Sequence, residues 1–561
     1  MGQLLGMVQT RWRYITVQIV LLALVSVTLW RVVYLQVIQK DFLISEGTSR
    51  WQRTEVVSAP RGMLSDRYGE PIAVSTPVMS IWADPRELNA ADLPVLAKAA
   101  QVDEKTLANR ADSHRAFMYV RRQMTPDQAQ LILDIDLSGV YGQPEYKRYY
   151  PTGEVAAHLS GFTDVDDRGQ EGIELAFEQQ LASVAGKKEV IRDLLGRSVR
   201  DVGELQAAQP GNNLVLTIDL RLQYLAYREL KQGVATMGAK SGSVVMMDVQ
   251  TGDILALVNQ PGYNPNDRGS LRPEALRNRA LTDLFEPGSV MKPITMAIAL
   301  DAGVVKVDSR INTSPGRIRL GKYTIQDFKD YGTLSATQII QKSSNVGIVK
   351  VSRDIPKEQF WQSLYDFGFG ETSSLGYPGE ATGSLPNPMR WDSVTQGSLA
   401  YGYGMAATPL HLAQAYATLA NDGRRVNAHL IQGVSSGESG LQVVSAESAR
   451  AVLKMMETVV QRGGTATRAK LDWYGVAGKT GTTRKVGASG YEDAKYISSF
   501  VGITPAVNPR IVTVVVINEP PDDAYYGGEV AAPIFKGIME QAMPLLNIRP
   551  DASPSAAGEF Y

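Results

Sequence analysis

The sequence has 561 residues, which is too long for a single hydrophobic core and indicates two or more domains. Its 57 basic and 58 acidic residues leave no basic excess of the kind that nucleic-acid binding requires, and the lack of cysteine excludes disulfides, thiolate metal sites and cysteine nucleophiles. The histidines are far apart and lack ligand spacing, which argues against a metal site or a Ser-His-Asp triad, so no cofactor is expected. They are His114, His158, His411 and His429.

The N-terminal part of the chain contains one long apolar run. Residues 14–30 carry no charge, and apart from Arg31 the uncharged run continues to Gln39. At about 1.5 Å per helical residue this run can cross a hydrocarbon layer of about 30 Å, so one transmembrane helix is expected over residues 14–39. A cleaved signal peptide and a buried core helix are the alternatives. The basic residues on the two sides of the run balance, and they do not decide its orientation.

Residues 40–214 are expected to form a mixed α and β domain without a catalytic cluster. Within it, Ala59 to Val74 is typical of two short strands around a turn at residues 66–69. Arg61, Asp66 and Arg67 could belong to an active site. Because no nucleophile or base accompanies them, a structural hairpin with an internal ion pair is the favoured interpretation.

Two further stretches of this domain have structural explanations. Gly169 to Glu174 predicts a turn that leads into a helix, with acidic residues in the first turn that complement the helix dipole. Lys187 to Arg200 is highly charged and predicts a solvent-exposed hairpin that turns at Gly196.

The second domain is expected to begin at residue 215. Its strands and helices alternate without regular βαβ units, which favours an antiparallel α+β layer structure. The predicted helices are Leu220–Gln232 and Pro409–Asn421, and the predicted strands are Ser243–Val249, Ile254–Val258, Tyr496–Thr504 and Ile511–Asn518. The Pro, Ser, Ala and Gly-rich residues 548–561 are expected to form a disordered tail.

A nucleophile and its base can share one helix face in the stretch from Phe285 to Pro293. Ser289 is expected to open an apolar helix that runs to Ala302 and is closed by Gly303. Residues three apart lie on the same side of a helix, which places Lys292 beside the Ser289 hydroxyl. A desolvated lysine near a second cation can be neutral and accept the hydroxyl proton.

Two later motifs support a catalytic role for Ser289 and Lys292, since Ser-x-x-Lys alone is common by chance. Ser343-x-Asn345 is expected on the loop that follows a short helix at Thr337–Lys342. Lys479-Thr-Gly481 stands just before a strand-like run. The three motifs in this order form the signature of penicillin-binding proteins and serine β-lactamases.

The three motifs, the apolar run, Arg61–Gly69 and Gly169–Glu174 together resemble the class B penicillin-binding proteins over nearly the whole chain. Tyr149–Val155, Gly161–Leu175 and Phe285–Ser289 most resemble the division-specific group of Gram-negative bacteria. The resemblance implies an α+β protein with a cytoplasmic tail (1–13), a transmembrane helix (14–39), a non-catalytic pedestal (40–214) and a transpeptidase domain (215–547) built on a five-stranded antiparallel sheet between helices. It also implies that the anchor sits in the inner membrane and that both large domains lie in the periplasm.

The resemblance further implies roles for the motif residues. Ser289 would attack the carbonyl between the terminal D-alanines of a peptidoglycan stem peptide, and Lys292 would take its proton. Ser343, helped by Lys479, would pass a proton to the departing amine. The residues implied in substrate binding are Asn345, Thr480, Gly481 and Thr482. Tyr401 and Tyr403 either line this cleft or serve as aromatic packing.

The partners implied by the resemblance are peptidoglycan stem peptides, β-lactams, the membrane, a polytopic peptidoglycan glycosyltransferase and other division proteins. A β-lactamase or carboxypeptidase would share the motifs but must also activate water. An elongation-specific transpeptidase is the nearest alternative. A catalytically idle scaffold or a β-lactam sensor is the alternative from another class.

Overall fold

The computed structural model of the protein describes residues 2–112, 116–192, 198–433, 440–487, 490–521 and 523–552. The chain forms two compact units. The first contains Met1–Pro60, Pro77–Lys147 and Ser183–Pro210, and the second contains Arg61–Thr76, Arg148–Ala182 and Gly211–Tyr561. The domain boundaries expected from the sequence remain predictions. His114, Gly196 and residues 553–561 of the expected disordered tail lie outside the described residues.

The α-helices are given in chain order. They are α1 (Gly2–Val33), α2 (Lys40–Trp51), α3 (Leu93–Ala100), α4 (Glu104–Ala111), α5 (Pro126–Leu133), α6 (Ala157–Ser160), α7 (Gly172–Ala176), α8 (Glu178–Leu181), α9 (Leu220–Met237), α10 (Pro273–Leu276), α11 (Arg279–Thr282), α12 (Lys292–Asp301), α13 (Ala336–Lys342), α14 (Asn345–Ser352), α15 (Lys357–Asp366), α16 (Ser393–Ala400), α17 (Pro409–Ala420), α18 (Ala446–Glu457) and α19 (Gly527–Leu545).

The β-strands follow the same convention. They are β1 (Gln52–Val57), β2 (Leu64–Ser65), β3 (Pro71–Ala83), β4 (Met118–Met124), β5 (Val140–Tyr149), β6 (Gly186–Arg192), β7 (Ser198–Gln206), β8 (Leu214–Val215), β9 (Ser241–Asp248), β10 (Ile254–Gln260), β11 (Arg310–Asn312), β12 (Arg317–Leu320), β13 (Tyr323–Gln326), β14 (Thr333–Ser335), β15 (Ala477–Gly487), β16 (Gly490–Thr504) and β17 (Ile511–Asn518).

The first unit begins with the apolar helix α1, which continues as a π-helical turn over Tyr34–Ile38. Arg11–Ile38 is long and apolar enough to cross a membrane, and none of its most apolar window is buried inside the protein. This exposure argues against the core-helix alternative, because a core helix is covered by its neighbours. Length and composition also suit a signal sequence, so that alternative stays open.

The remainder of the first unit has a small core and a three-stranded sheet. The core residues come from β3, β4 and the helices α3 to α5, and they include Ile81, Leu96, Leu107, Val120 and Ile132. The sheet has the strand order β1-β6-β7. Antiparallel pairing of β6 with β7 confirms the hairpin expected at Lys187–Arg200.

In the second unit, the turn at residues 66–69 is structural, as expected. The Asp66 carboxylate accepts hydrogen bonds from the backbone N–H groups of Tyr68 and Glu70, and also from Leu220. β2 and β3 pair on either side of this turn. The predicted internal ion pair is wrong, because Arg61 pairs with the distant Glu174 and Glu178.

A buried charge cluster surrounds Glu174. One of its carboxylate oxygens lies 2.6 Å from Arg61 Nε, and the other lies 2.6 Å from Arg148 Nε. All three side chains are buried. Glu174 does lie in the first turn of α7, but it is the shared partner of two guanidinium groups and not merely a complement to the helix dipole. The simpler interpretation made from the sequence is therefore incomplete.

Substitution Glu174→Ala is expected to lower the free energy of unfolding by about 3–5 kcal/mol, because it leaves two buried arginines without their carboxylate. Glu178→Ala is the matched control, since Glu178 also pairs with Arg61 but is partly exposed. The control should lose only about 1 kcal/mol. Denaturant unfolding followed by tryptophan fluorescence measures both, and equal losses would contradict the role assigned to Glu174.

The second unit is organised on a five-stranded antiparallel sheet with the order β10-β9-β17-β16-β15. Nearly every residue of β9, β10 and β17 is buried, as a sheet covered on both faces requires. Helices α9 and α19 pack on the sheet and on each other, and α11, α17 and α18 form a second group against it. The predicted five-stranded sheet between helices is confirmed.

Candidate active site

Ser289 lies in a tight turn that the sequence described only approximately. Gly288–Met291 forms a 3-10 helix, and the α-helix α12 begins at Lys292 instead of at Ser289. Gly288 has φ +63°, and its N–H donates to the carbonyl oxygen of Gly402 at 2.9 Å. A Cβ atom on Gly288 would come within 2.3 Å of the Thr483 side chain. The glycine therefore lets the nucleophile turn pack directly against β15.

Gly402 supports the same turn through its backbone, and the sequence analysis did not identify it. It has φ +83°, and a Cβ atom here would lie 2.2 Å from the Gly288 carbonyl oxygen. The atoms that this Cβ would meet belong to the Gly288 backbone, which cannot rotate out of the way as a flexible side chain can. The Tyr401-Gly-Tyr-Gly404 loop thus fixes the position of Ser289 through backbone contact.

Gly402→Ala is expected to lower the rate of acylation by a penicillin by about a hundredfold, because it displaces the nucleophile turn. Gly404→Ala is a matched control. Gly404 has φ +75°, so alanine is similarly strained there, but its Cβ would meet nothing within 4 Å. Acylation kinetics of both variants distinguish displacement of the turn from strain alone, and comparable losses would argue against the assignment.

Lys292 is completely buried at the start of α12. Its Nζ donates to the Ser343 carbonyl oxygen at 2.6 Å, to Ser343 Oγ at 3.0 Å and to Asn345 Oδ1 at 2.6 Å. In the described part of the chain it makes no hydrogen bond to Ser289, although the two residues lie three apart. Burial lowers the pKa of Lys292 well below its ordinary value, and the charge of Lys479 lowers this pKa further.

Ser343 and Asn345 lie at a junction between two helices. Ser343 ends α13 in a left-handed conformation with φ 57°. Ser344 then caps α14 by accepting a hydrogen bond from the Gly347 N–H, so Asn345 is the first residue of a helix. The prediction of a loop at Asn345 is wrong, because the second helix follows the first after only two residues.

Asp327 fixes this junction, and the sequence analysis missed it. One carboxylate oxygen accepts from the backbone N–H groups of Asn345 at 2.5 Å and Val346 at 3.0 Å. The other accepts from the Ser344 hydroxyl at 2.6 Å. An acidic side chain at the exposed N–H groups of a helix start is favourable. No local pattern marks Asp327, since its partners are 17 to 19 residues away.

Lys479 is also completely buried, and it lies on β15. Its Nζ donates to Ser343 Oγ at 2.9 Å and to the Thr480 carbonyl oxygen at 3.1 Å. Burial lowers the pKa of Lys479 to about 7. Ser343 Oγ therefore accepts hydrogen bonds from both lysines, and this atom is the point where the three motifs meet.

The other residues of the Lys-Thr-Gly stretch follow along the same strand. The Thr480 hydroxyl is hydrogen-bonded to that of Thr465 at 2.8 Å. Thr482 Oγ1 accepts from the Gly527 N–H at 3.1 Å. Gly481 lies between them on β15, paired with Ser499 of β16.

Tyr401 and Tyr403 pack against each other and line an open cleft, and their part in substrate binding stays a prediction. Their ring centroids are 5.1 Å apart, and the ring of Tyr491 lies 6.4 Å from that of Tyr403. With Thr482 they line an open cleft of about 720 Å³. Glu286 also lines this cleft, and its carboxylate links two other lining residues by accepting from the Tyr491 hydroxyl at 2.9 Å and from the Gly404 N–H at 2.8 Å.

The described histidines do not join this site. His158 is buried, with Nε2 2.8 Å from the Ala275 carbonyl oxygen. His411 is buried in the capping box of α17 with Thr408. Across the described ranges no group of His, Asp or Glu side chains could hold a metal ion.

Comparison with known proteins places this geometry in a family. Residues 242–540 match the family model of the penicillin-binding protein transpeptidase domain, and residues 56–216 match that of the penicillin-binding protein dimerisation domain. The peptidoglycan D,D-transpeptidase FtsI of Escherichia coli is 41% identical over 96% of this chain and 93% of its own length. The probable peptidoglycan D,D-transpeptidase PbpC of Pseudomonas aeruginosa is 40% identical over 93% of each chain.

Solved structures agree with these relatives. A peptidoglycan synthetase from Bifidobacterium adolescentis is similar with a TM-score of 0.72 and 25% identity, over 90% of this chain and 99% of that one. Penicillin-binding protein 3 from Mycobacterium tuberculosis, complexed with aztreonam, has a TM-score of 0.69 and 27% identity, over 89% and 99%. The resemblance inferred from the sequence is confirmed, and the chain belongs to the class B penicillin-binding proteins, the family that joins a dimerisation domain to a serine D,D-transpeptidase domain.

Proposed function

We propose that the protein is a serine D,D-transpeptidase that cross-links peptidoglycan stem peptides at the division septum through a Ser289 acyl-enzyme, and that β-lactams acylate the same serine. The observation that carries this proposal is the convergence of both buried lysines on Ser343 Oγ, next to the helix that follows Ser289. Nucleophilic catalysis by a serine needs an adjacent base, and Lys292, which follows Ser289 by three residues at the start of α12, is the candidate for that base.

In the first step, Ser289 Oγ attacks the carbonyl carbon between the two terminal D-alanines. Lys292 is fully buried, and its lowered pKa favours the neutral amine, which can accept the Ser289 proton. The neutral amine keeps two N–H groups, which can donate to the Ser343 carbonyl oxygen and to Asn345 Oδ1 and so hold Nζ in place, while its lone pair is left for the Ser289 proton. Backbone N–H groups of Ser289 and Thr482 would stabilise the developing oxyanion, and loss of one such donor would cost about 3 kcal/mol.

In the second half of acylation, the C–N bond breaks and D-alanine leaves. Ser343 Oγ donates a proton to the departing amine and regains one through Lys292 or Lys479, both of which touch it. Asn345 Nδ2 donates to the Gln326 carbonyl oxygen at 2.9 Å, which leaves its second N–H for the substrate amide. Thr480 and Thr482 would bind the substrate carboxylate along β15.

The anchor and its partners complete the proposal. The apolar helix α1 suits a single-pass inner-membrane protein whose pedestal and transpeptidase domains lie in the periplasm. We expect a polytopic glycosyltransferase and other division proteins to engage the anchor and the pedestal. Depletion of the protein tests the cellular role: filaments without septa would support division, and round cells would point to the elongation-specific alternative.

The chemistry is tested by following the intact mass of the protein after it is mixed with a penicillin. A stable adduct on the Ser289 peptide is the expected result. An adduct that vanishes while the drug is consumed would indicate a β-lactamase. No adduct would indicate a scaffold and would contradict the proposal.

A further inference from the structure

A second cavity of about 880 Å³ opens beside the cleft that Tyr401, Tyr403 and Thr482 line, here named the catalytic cleft because Thr482 lies on the Lys-Thr-Gly strand. It lies where the ends of β15, β16 and β17 face the segment that leads into the Ser289 turn. Its floor is apolar and includes the buried Phe285 and Met405 and the half-buried Ile497. Nothing in the acylation mechanism uses this space.

The lining of the cavity is rich in basic side chains, which are Lys240, Arg277, Arg279, Arg484 and Lys485. Four of these basic side chains share only two carboxylates. Arg277 and Arg279 share the single carboxylate of Asp283, at 2.5 and 3.1 Å. Lys240 and Lys485 likewise share Glu519.

Arg484 adds to this excess, since no carboxylate pairs with it within the residues that the structure describes. The remaining acids of the lining are Glu274, which is exposed, and Glu286, which is held by Gly404 and Tyr491. An apolar floor with a basic rim is complementary to an organic anion, because the floor buries its carbon atoms while the rim pairs with its carboxylates.

The cavity and the catalytic cleft adjoin each other. Glu286, Gly404 and Arg484 line both of them. Glu286 and Phe285 belong to the same stretch of chain as Ser289. A ligand that extends from the cavity past these residues therefore enters the cleft that Thr482 lines.

We infer that this cavity binds the acceptor strand of the cross-linking reaction, an acidic stem peptide, while the donor occupies the catalytic cleft. The inference rests on the proposed function. An acceptor stem peptide carries free carboxylates, which fit the basic rim, and a free amine, which must reach the acyl-enzyme. The amine nitrogen then bonds to the acyl carbon, the ester C–Oγ bond to Ser289 breaks, and the amine proton passes to Ser289 Oγ.

The test separates acceptor binding from acylation. The full-length protein in detergent is given a D-alanyl thioester donor and a stem tripeptide that has a free side-chain amine and free carboxylates. The double variant Arg277→Gln/Lys240→Gln removes two rim charges that do not line the catalytic cleft. We expect its KM for this acceptor to rise about tenfold, the effect of losing one to two charge-assisted contacts. Acylation by a penicillin should stay within about twofold of wild type.

Three comparisons make the result specific. The same tripeptide with amidated carboxylates should bind wild type and variant equally, and Arg277→Lys/Lys240→Arg should restore the KM. Arg450→Gln/Lys536→Gln is the matched control, because these exposed side chains are ion-paired and line neither cavity. An unchanged KM in the rim variant, an equal rise with the amidated acceptor, or the same rise in the control would overturn the inference. A wild-type protein that is not acylated by penicillin would instead overturn the proposed function.

Discussion

Ser289→Ala is expected to abolish covalent labelling by β-lactams while the protein keeps its fold. No other group can replace the attacking oxygen, and removal of a serine nucleophile costs about 10⁶ in the rate of an acyl-transfer enzyme. The Ser289 hydroxyl is only half-buried and has no hydrogen-bond partner among the described side chains, so little packing depends on it. Labelling with a fluorescent penicillin measures the loss, and thermal unfolding checks the fold.

Ser270→Ala provides the comparison for this variant. Its hydroxyl is exposed and bonds only to the Asp267 carbonyl oxygen, far from the three motifs in sequence. Labelling should be unaffected there. Undiminished labelling of Ser289→Ala would remove Ser289 as the nucleophile.

Lys292→Met is expected to slow acylation by about 10²–10⁴, the contribution of a positioned base. Methionine fills a similar volume but cannot take the serine proton. In wild type, burial lowers the pKa of Lys292, so the fraction of neutral base, and with it the acylation rate, should rise as pH increases through this lowered pKa. The variant should lose that dependence.

The measurement is the second-order rate constant of penicillin acylation between about pH 5 and 9. Lys342→Met is the control, because Lys342 lies one residue before Ser343 and donates only to the Gly463 carbonyl oxygen. The control should keep the wild-type profile. A wild-type pH rise that persists in Lys292→Met would assign the base to another group, with Lys479 the first candidate.

Regular elements with a clear residue pattern were predictable, and their ends less so. The strand Ile511–Asn518 agrees with the sequence prediction, since its β-branched run is bounded by polar residues. Helix α9 instead extends five residues beyond Gln232, to Met237, where Gly238 in a left-handed conformation ends it. Packing against β10 and α19, which no local pattern reports, stabilises this extra turn.

The candidate catalytic side chains could be named from the sequence because each motif spans at most four residues. Their mutual geometry was not predictable. Lys292 was expected beside Ser289, yet its hydrogen bonds go to Ser343 and Asn345, which are 51 and 53 residues away. Asp327 and Gly402 act through backbone groups of other segments, and such contacts leave no trace in local spacing. Arg61 was assigned the wrong partner for the same reason.

The pairing of β2 with β8 has a consequence for the order in which the second unit can fold. β2 pairs in parallel with β8, and the hydrogen bond between Met63 and Asn213 beside them spans 150 residues. At about 5–20 residues per second, β8 is synthesised about 8 to 30 seconds after β2. Arg61 and its partner Glu174 are separated by 113 residues, so Glu174 is also synthesised seconds after Arg61. Slow synthesis between Arg61 and Glu174 therefore prolongs the time during which the Arg61 guanidinium lacks the carboxylate with which it is buried.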